Sequence, residues 1–412
     1  MEARSTGTKL GPNFMYGDGV WLVSENNEKY FDATSGSGAI SLGHQNPAII
    51  DKCQNQLMSL THTGCKLGSV TRHDLACKIA EITPFKNANV LFSVIGTEAV
   101  ETAFKVARAY TGRKHIAGLE YAFHGKSHAA LNITWREYFK KYSYISSDDS
   151  CIVPAVPLET EQQVADALSE FENILKNKEI EGKLPAALIF EPVQVTEGVK
   201  IFPVKYHDGL IKISRQFGVL TIIDEIYTGF GRCGRLFYCN YLSETPDILL
   251  LGKSLGNGMP ISLVVGEKTI INSLESGVQT STYSGSPLAC AAANEVIKQV
   301  INNSHWETAE KHGKELFRHI SNLMKVHKLG SGVRQIGLLV GFDLEKDNFE
   351  SKKILEKFIQ IALDKKILLF GGGVHGNTVK LVPPITMTGN DLVFLKDTLE
   401  SVFQCLVEEL NQ

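Results

Sequence analysis

The fold is decided by the stretch Val219-Leu220-Thr221-Ile222-Ile223-Asp224-Glu225, an apolar run that ends in two carboxylates. A second run follows as Ile248-Leu249-Leu250-Leu251-Gly252-Lys253 and ends in a lysine. Because both runs are largely apolar rather than alternating, they are typical of strands in a parallel sheet that helices cover on both faces. Ligands bind beyond the carboxyl ends of such strands. We therefore expect an α/β domain with charged groups at its ligand-binding edge.

Similar strands are predicted on both sides of this stretch, at Asn87–Val94, His115–Glu120, Ala186–Val193 and Ser262–Gly266. The first leads into an amphipathic helix that ends near Gly112. This alternation of strands and helices assigns residues 55–295 to a large α/β domain with a mainly parallel sheet. Residues 1–54 and 296–412 carry shorter patterns, and we expect both chain ends to form one smaller α+β domain.

Composition narrows the class of protein. Among the 412 residues, 42 Lys and Arg against 45 Asp and Glu give a net charge of −3, so the chain lacks the basic field that nucleic-acid binding requires. No apolar run is long enough to span a membrane, and none follows the N-terminal charges as a secretory signal would. The 8 cysteines include no C-x-x-C pair, which favours reduced thiols. We expect a cytoplasmic enzyme without a nucleic-acid or membrane partner.

The residues at the strand ends predict a specific chemistry. Gly96-Thr97 opens a helix, where free N–H groups and the helix dipole form an anion site. Lys253 follows an apolar run, and burial lowers the pKa of a lysine and makes it nucleophilic towards a carbonyl. Together with Asp224, which would keep a pyridine nitrogen protonated, these groups provide what pyridoxal phosphate needs. Each group alone is equally compatible with an ordinary turn or an ion pair at a sheet edge.

The sequence resembles the class III pyridoxal-phosphate aminotransferases of fold type I over nearly its whole length. The most specific match is Asp224-Glu225-Ile226-Tyr227-Thr228-Gly229-Phe230-Gly231-Arg232, followed by Pro246-Asp247 and Gly252-Lys253-Ser254. Supporting matches are Tyr30-Phe31-Asp32, Gly43-His44-Gln45-Asn46-Pro47, Gly96-Thr97-Glu98-Ala99, Phe123-His124-Gly125, Glu191-Pro192-Val193-Gln194, Thr282-Tyr283-Ser284-Gly285 and Pro383-Pro384. The resemblance implies pyridoxal 5'-phosphate as cofactor and a homodimer.

The resemblance also implies roles for single residues. Lys253 would form the Schiff base with the cofactor and then move the substrate proton, and Asp224 would pair with the pyridinium. Glu191 would act beside the cofactor on the substrate side. Gly96-Thr97 would hold the phosphate through backbone N–H groups, and Thr282 would reach it from the other subunit.

Three further residues are expected around the cofactor ring. By the same resemblance, Phe123 would stack on one face of the ring and Ile226 would press on the other. His124 belongs to the loop that flanks the cofactor. His124 and His128 have the i, i+4 spacing of metal ligands, but Gly125 disfavours a helix between them, and we predict no metal site.

The chain departs from the family pattern on the substrate side. Tyr227 replaces the usual Gln near the phenolic oxygen of the cofactor, although a tyrosine hydroxyl could still serve there. Lys380 stands where many members carry an Arg that clamps the substrate carboxylate, and a lysine offers a point charge instead of a fork. Ser37 lies where ornithine-type members place a bulky tyrosine. These differences favour a roomy pocket in the diaminobutyrate, ornithine or 4-aminobutyrate branch.

The activity implied by the resemblance is transfer of an amino group, here from a terminal amine to a 2-oxo acid such as 2-oxoglutarate or pyruvate. A racemase, epimerase or phospho-lyase of the same fold shares the Lys–Asp–phosphate apparatus and stays open as an alternative. A more remote alternative is an α/β-hydrolase, because Gly252-Lys253-Ser254-Leu255-Gly256 matches G-x-S-x-G with Ser254 as nucleophile and with Asp343 and His375 downstream. A non-catalytic binding protein would be expected to lack Lys253 or Asp224, and both are present.

Overall fold

The computed structural model of the chain describes residues 11–143, 150–154, 158–330 and 332–411. The first ten residues of the predicted small domain lie outside the described residues. In chain order, the strands are β1 (Phe14–Asp18), β2 (Trp21–Ser24), β3 (Lys29–Asp32), β4 (Ala88–Ser93), β5 (Ile116–Leu119), β6 (Ser150–Val153), β7 (Ala187–Phe190), β8 (Val193–Gln194), β9 (Lys200–Ile201), β10 (Leu220–Asp224), β11 (Ile248–Leu251), β12 (Ser262–Glu267), β13 (Arg334–Ile336), β14 (Leu339–Asp343), β15 (Ile367–Leu368), β16 (Phe370–Gly372) and β17 (Thr378–Leu381).

The helices are α1 (Ser35–Gly38), α2 (Pro47–Ser59), α3 (Val70–Ile82), α4 (Gly96–Thr111), α5 (His128–Ile133), α6 (Glu137–Lys140), α7 (Glu161–Ile180), α8 (Val204–Gln216), α9 (Lys268–Ile271), α10 (Pro287–Asn302), α11 (His305–His327), α12 (Ser351–Asp364) and α13 (Gly389–Leu410). Short 3₁₀ helices lie at Tyr238–Tyr241 and Lys253–Leu255. Within the described part of the chain, no helix has the length and apolar character that crossing a membrane requires.

The central sheet joins its strands in the order β4-β12-β11-β10-β7-β5-β6. β10 runs parallel to β7 and to β11, so that Ile223 lies opposite Phe190 on one side and Leu249 on the other. The mainly parallel sheet predicted from the apolar runs is therefore confirmed. β12 was correctly predicted as a strand, but it runs antiparallel to both β11 and β4, a direction that an apolar pattern does not encode.

Successive residues of the central strands are buried on opposite faces of the sheet. Ile248 and Leu250 pack in the cluster that contains α4, whereas Leu249 and Leu251 pack in the larger cluster with α7 and α8. All four side chains are 0% exposed. Burial of one such side chain contributes about 1.5–3 kcal/mol, which explains why a strand covered on both faces is apolar at every position.

The helix α4 follows β4 directly and begins where the sequence predicted. Its apolar side, with Val100, Phe104 and Val106 among its members, is buried against the sheet. It ends at Gly112, which has φ of 69°, a left-handed conformation that glycine adopts without steric cost. Because α4 starts at the carboxyl end of β4, its first turn points towards the ligand-binding edge of the sheet.

Strands from the two ends of the chain pair with each other in one of the smaller sheets. β15 pairs in parallel with β3, with Ile367 opposite Phe31, so the sheet β1-β2-β3-β15 contains strands from both ends. A second sheet, β13-β14-β17-β16, is antiparallel and presents Lys380 on β17. The pairing of β3 with β15 is consistent with a small domain built from both chain ends. The borders at residues 54/55 and 295/296 stay a prediction.

Candidate active site

A cavity of about 360 Å³ lies at the carboxyl ends of the central strands. It is lined by residues that the sequence predicted from separate parts of the chain, namely Gly96, Thr97, Phe123, His124, Glu191, Asp224, Ile226, Tyr227 and Lys253. The volume is in the range of sites for small molecules and cofactors. The fold thus brings the strand-end groups together, while the role of each residue stays a prediction.

The two carboxylates that end β10 face different surroundings. Asp224 lines the cavity, and its Oδ1 accepts a hydrogen bond from the backbone N–H of Ile226 at 3.2 Å. Glu225 is completely buried and accepts the backbone N–H groups of Tyr238 and Cys239 at 2.6 and 2.8 Å. Burial raises the pKa of Glu225 to about 6, although these N–H groups act in the opposite direction. Asp224 therefore belongs to the site, whereas Glu225 supports the turn that follows it.

The side chain of His124 binds Asp224. Its Nδ1 lies 2.7 Å from Oδ2 of Asp224, and both side chains are buried. Because a carboxylate only accepts hydrogen bonds, Nδ1 carries the hydrogen in this pair. The backbone N–H of His124 donates to Oγ1 of Thr134 at 3.0 Å, which fixes the loop. Sequence reasoning placed His124 beside the cofactor but did not identify it as the partner of Asp224.

The first turn of α4 forms an anion cradle. The N–H groups of Gly96 and Thr97 stand at the helix start, where no intrahelical acceptor exists. Gly125 closes the cradle with φ of 125°, and a Cβ there would lie 2.3 Å from Oγ1 of Thr97. Ile95 gives the helix no side-chain cap, but Oε2 of Glu98 accepts the N–H of Val94 at 2.7 Å. Glycine thus leaves room for an anionic group close to the backbone.

Ile226 and Phe123 both line the cavity, and their predicted places on the two faces of a ring stay a prediction. A Cβ on Gly96 would approach Cδ1 of Ile226 to 2.9 Å, so glycine lets this side chain lie against the cradle. The backbone N–H of Phe123 donates to Oε1 of Glu191 at 2.7 Å. Burial and the nearby charge of Asp224 raise the pKa of Glu191 well above its usual range. Glu191 therefore supports the Phe123 loop in addition to its predicted place on the substrate side.

Lys253 is held in an unusual conformation at the centre of the site. Its φ is 41°, in the left-handed region that non-glycine residues rarely adopt. Its Nζ lies 3.5 Å from the centroid of the Tyr227 ring. Burial lowers the pKa of Lys253 to about 8, and the charges of Glu191 and Asp224 offset part of the decrease. A lysine with such a pKa is partly neutral near physiological pH and is able to attack a carbonyl.

Lys380 lies beside this cavity without lining it. A Cβ on Gly372 would be 3.0 Å from both Nζ of Lys380 and the carbonyl oxygen of Thr196, a residue of the cavity wall. Burial lowers the pKa of Lys380 to about 8, while the charge of Glu197 acts in the opposite direction.

An ion pair between Arg136 and Glu197 lies near Lys380. Glu197 is 2% exposed and accepts hydrogen bonds from Nε and Nη2 of Arg136. Arg136 also donates to the carbonyl oxygen of Gly373 at 2.9 Å. Among the described residues, no carboxylate forms a hydrogen bond or ion pair with Lys380. Sequence reasoning had identified neither Arg136 nor Glu197, and the role of Lys380 towards a substrate carboxylate stays a prediction.

Two other predicted residues stay outside the cavity. Ser37 is exposed, with φ of 65°, while Ala39 lines the wall close by. Thr282 is exposed as well and does not reach the cradle of its own chain.

The cavity also includes residues that sequence reasoning missed, namely Ala39, Val94, Thr196, Gly258, Met259, Pro260, Ile261 and Ser262. Most of these residues lie at or shortly after predicted strands, or in a turn that contains Gly and Pro. That position was the only signal in the sequence that they line the cavity.

The geometry does not support the two alternatives of an α/β-hydrolase and a metal site at His124 and His128. Ser254 is 1% exposed and shares hydrogen bonds with the Ser41 hydroxyl and the Gly38 carbonyl, while Asp343 is held by Arg334. These are not the contacts of a nucleophile with its base. His128 is exposed, and the described part of the chain holds no group of three His, Cys, Asp or Glu residues suited to a metal ion.

The arrangement fits a phosphorylated pyridine aldehyde. The cradle at Gly96 and Gly125, where a Cβ would collide, is suited to a phosphate. Asp224, oriented by His124, is suited to a protonated ring nitrogen, and Lys253 is suited to the aldehyde. Each group belongs to the lining of one cavity, so a single ligand is able to contact all of them.

Comparison with known proteins places the chain among transaminases. Residues 7–403 match the family described as aminotransferase class-III. The [LysW]-aminoadipate semialdehyde/glutamate semialdehyde transaminase of Sulfolobus acidocaldarius is 30% identical over 378 residues, which cover 92% of this chain and 91% of that protein.

Two solved structures share the fold. A transaminase from the marine bacterium Virgibacillus has a TM-score of 0.91 at 23% identity, covering 99% of this chain and 95% of the other. An amine transaminase from an uncultivated Pseudomonas species, in its pyridoxal-phosphate-bound form, has a TM-score of 0.90 at 24% identity, covering 98% and 97%. The expected α/β fold of type I is confirmed.

Proposed function

The chain belongs to the class III aminotransferases, a pyridoxal-phosphate-dependent family, and on this premise we propose that it moves a terminal amino group from a carboxylate-bearing amine to a 2-oxo acid. The observation that carries the proposal is the pair of lysines. Lys253 lines the cavity, and Lys380 lies beside its wall, where no carboxylate of the described residues binds it. An amine at one end of a substrate and a carboxylate at the other would match these two groups.

Bound pyridoxal phosphate supplies a carbonyl that takes up the amino group and a ring that accepts electrons. Lys253 provides the nucleophile for that carbonyl, and its neutral Nζ accepts the proton from the substrate carbon that bears the amine. Asp224 keeps the ring nitrogen protonated, and His124 orients Asp224 through the 2.7 Å hydrogen bond. The N–H groups of Gly96-Thr97 bind the phosphate, which fixes the register of the ligand in the cavity.

The substrate side supports a terminal amine in particular. Lys380 lies beside the cavity wall at Thr196 and is not one of the residues that line the cavity with Lys253, so a carboxylate bound to it would belong to the part of the substrate away from the reacting amine. The S. acidocaldarius relative is named for semialdehydes, which carry the exchanged group at a chain end. A diaminobutyrate, ornithine or 4-aminobutyrate type of donor fits both observations. For the acceptor, 2-oxoglutarate and pyruvate are the first compounds to test.

A screen of the first half-reaction tests this proposal. Purified holoenzyme is mixed with 4-aminobutyrate, ornithine, 2,4-diaminobutyrate, alanine and an alkyl amine that has no carboxylate, and the absorbance of the bound cofactor is followed. We expect the carboxylated terminal amines to convert the cofactor fastest, with 2-oxoglutarate or pyruvate restoring it. Exchange of the substrate α-proton without net loss of cofactor absorbance would indicate a racemase, and release of phosphate from a phosphorylated amine would indicate a phospho-lyase.

We also propose that the functional unit is a homodimer with Thr282 contributed to the partner's site. Large apolar side chains are exposed at Tyr283, beside Thr282 in sequence, and in the segment 58–70, with Met58 89%, Val70 77%, Leu67 66% and Tyr283 66% exposed. The rings of His62 and Tyr283 lie 5.2 Å apart, so these segments adjoin. Exposed apolar side chains in adjoining segments support an interaction surface there. A cytoplasmic location stays a prediction from the sequence.

A further inference from the structure

The ring of Tyr227, and not its hydroxyl, faces the amine of Lys253. Nζ of Lys253 lies 3.5 Å from the ring centroid, within the distance of a cation–π contact. The hydroxyl-bearing end of the ring packs on Gly38, where a Cβ would lie 2.7 Å from a ring carbon and 3.2 Å from the hydroxyl oxygen. Gly38 has φ of 83°, so this close approach depends on glycine. The ring therefore contacts both Gly38 and the lysine amine.

From this geometry we propose that Tyr227 is a positioning residue for Lys253, whose ring face holds the free amine and stabilises its ammonium form. The inference rests on the proposed function, in which Lys253 is alternately bound and free. An aromatic face attracts an ammonium group and has no comparable attraction for a neutral amine. The ring therefore shifts the pH at which free Lys253 becomes neutral, and with it the pH range in which Nζ accepts a proton from substrate.

The charged groups around Lys253 act in both directions. Glu191 and Asp224 favour the ammonium through their negative charge, whereas Lys380 and burial disfavour it. The Tyr227 side chain itself carries no charge, because burial raises the pKa of its hydroxyl to about 12 and keeps it protonated. Unlike a carboxylate, the ring stabilises the ammonium without adding a negative charge that would compete for the pyridinium or repel a substrate carboxylate. A Gln, usual at this position in the family, offers no such face.

Competitive labelling tests the proposal without depending on turnover. The full-length chain, freed of cofactor, is treated with trace acetic anhydride between pH 6 and 11, and acetylation of Lys253 is quantified by peptide mass spectrometry relative to exposed Lys311. We compare wild type with Tyr227→Phe, which keeps the ring, and Tyr227→Leu and Tyr227→Met, which remove it but keep an apolar environment. Thermal unfolding identifies any variant that fails to fold, and the other non-aromatic variant then provides the comparison.

We expect the labelling midpoint of Lys253 to be the same in wild type and Tyr227→Phe, and lower by about 1 pH unit in the non-aromatic variants. In the holoenzyme, the acid limb of the pH profile of kcat should shift in the same direction. An unchanged midpoint in folded Tyr227→Leu or Tyr227→Met would overturn the proposal, and an equal shift in Tyr227→Phe would assign the effect to the hydroxyl and overturn it too. If the midpoint shifts but no amine is transferred, only the proposed function fails.

Discussion

Nδ1 of His124 lies 2.7 Å from Oδ2 of Asp224, and the two side chains form a buried pair in the lining of the cavity. The residues are a hundred positions apart, and the fold brings them together because the His124 loop follows β5 while Asp224 ends β10. A carboxylate that pairs with a ligand nitrogen must keep one orientation, and a second hydrogen bond provides it. His124 is therefore predicted to orient Asp224 and not to bind a metal.

Replacing His124 should weaken catalysis without unfolding the protein. Hydrogen bonds to charged groups contribute about 1.5–3 kcal/mol, so His124→Leu should lower kcat/KM about 10–100-fold. His124→Asn, which keeps a hydrogen-bond donor, should lower kcat/KM by a smaller factor. His128→Leu is the matched control, because His128 is exposed in the same segment. Steady-state kinetics with saturating cofactor measure the effect, and equal kcat/KM values for His124→Leu and His128→Leu would contradict this role.

Lys253 should destabilise the cofactor-free protein at neutral pH. Its pKa is lowered from 10.5 to about 8 by burial, so the unfolded chain binds this proton more tightly than the folded chain. Stability therefore rises with pH between about 8 and 10.5, and the full cost of the buried ammonium is present below pH 8. Because the side chain is only partly shielded from solvent, Lys253→Met should raise the free energy of unfolding at pH 7 by on the order of 2 kcal/mol.

Urea unfolding of the cofactor-free chains at pH 7 and pH 10 measures this effect. The gain of Lys253→Met over wild type should shrink at the higher pH, and the variant should be inactive at both. Exposed Lys311→Met serves as the control and should change stability little at either pH. A gain of equal size at pH 7 and pH 10 would mean that apolar packing, and not the buried charge, is responsible.

Lys380 should determine affinity for the carboxylate of the substrate. Lys380→Ala should raise KM for 4-aminobutyrate or ornithine about tenfold or more and leave KM for an alkyl amine without a carboxylate nearly unchanged. Since burial lowers the pKa of Lys380 to about 8, the wild-type KM for carboxylated amines should also rise as the pH passes 8. Steady-state kinetics with both substrate types provide the comparison, and the same KM increase for both would refute a carboxylate role.

Mixing two inactive variants tests whether Thr282 acts across the subunit interface. In a hybrid of Lys253→Ala and Thr282→Ala chains, one site would hold both an intact Lys253 and the partner's intact Thr282. Unfolding and refolding an equimolar mixture should therefore restore activity well above that of either variant alone. Refolded single variants are the controls. If Thr282 served its own chain, every hybrid site would lack one group and activity would not recover.

Much of the fold was readable from local pattern. The apolar runs at residues 219–224 and 248–252 correspond to β10 and β11, because a strand covered on both faces needs apolar side chains at every position. The helix α4 and its end at Gly112 followed from 3.6-residue periodicity and the glycine stop. The antiparallel direction of β12 could not be predicted from the sequence, because its apolar residues would be buried equally well in either direction.

The sequence by itself determined which chemical groups end the central strands: Asp224, Glu191 and Lys253, with Gly96-Thr97 at the helix start. These groups are fixed by chain order, because a strand end is a local property. Only the tertiary structure decided which groups act on each other: His124 on Asp224, the Tyr227 ring on Lys253, and Arg136 on Glu197. Such pairs depend on distances across the packed sheet, and no local periodicity records them.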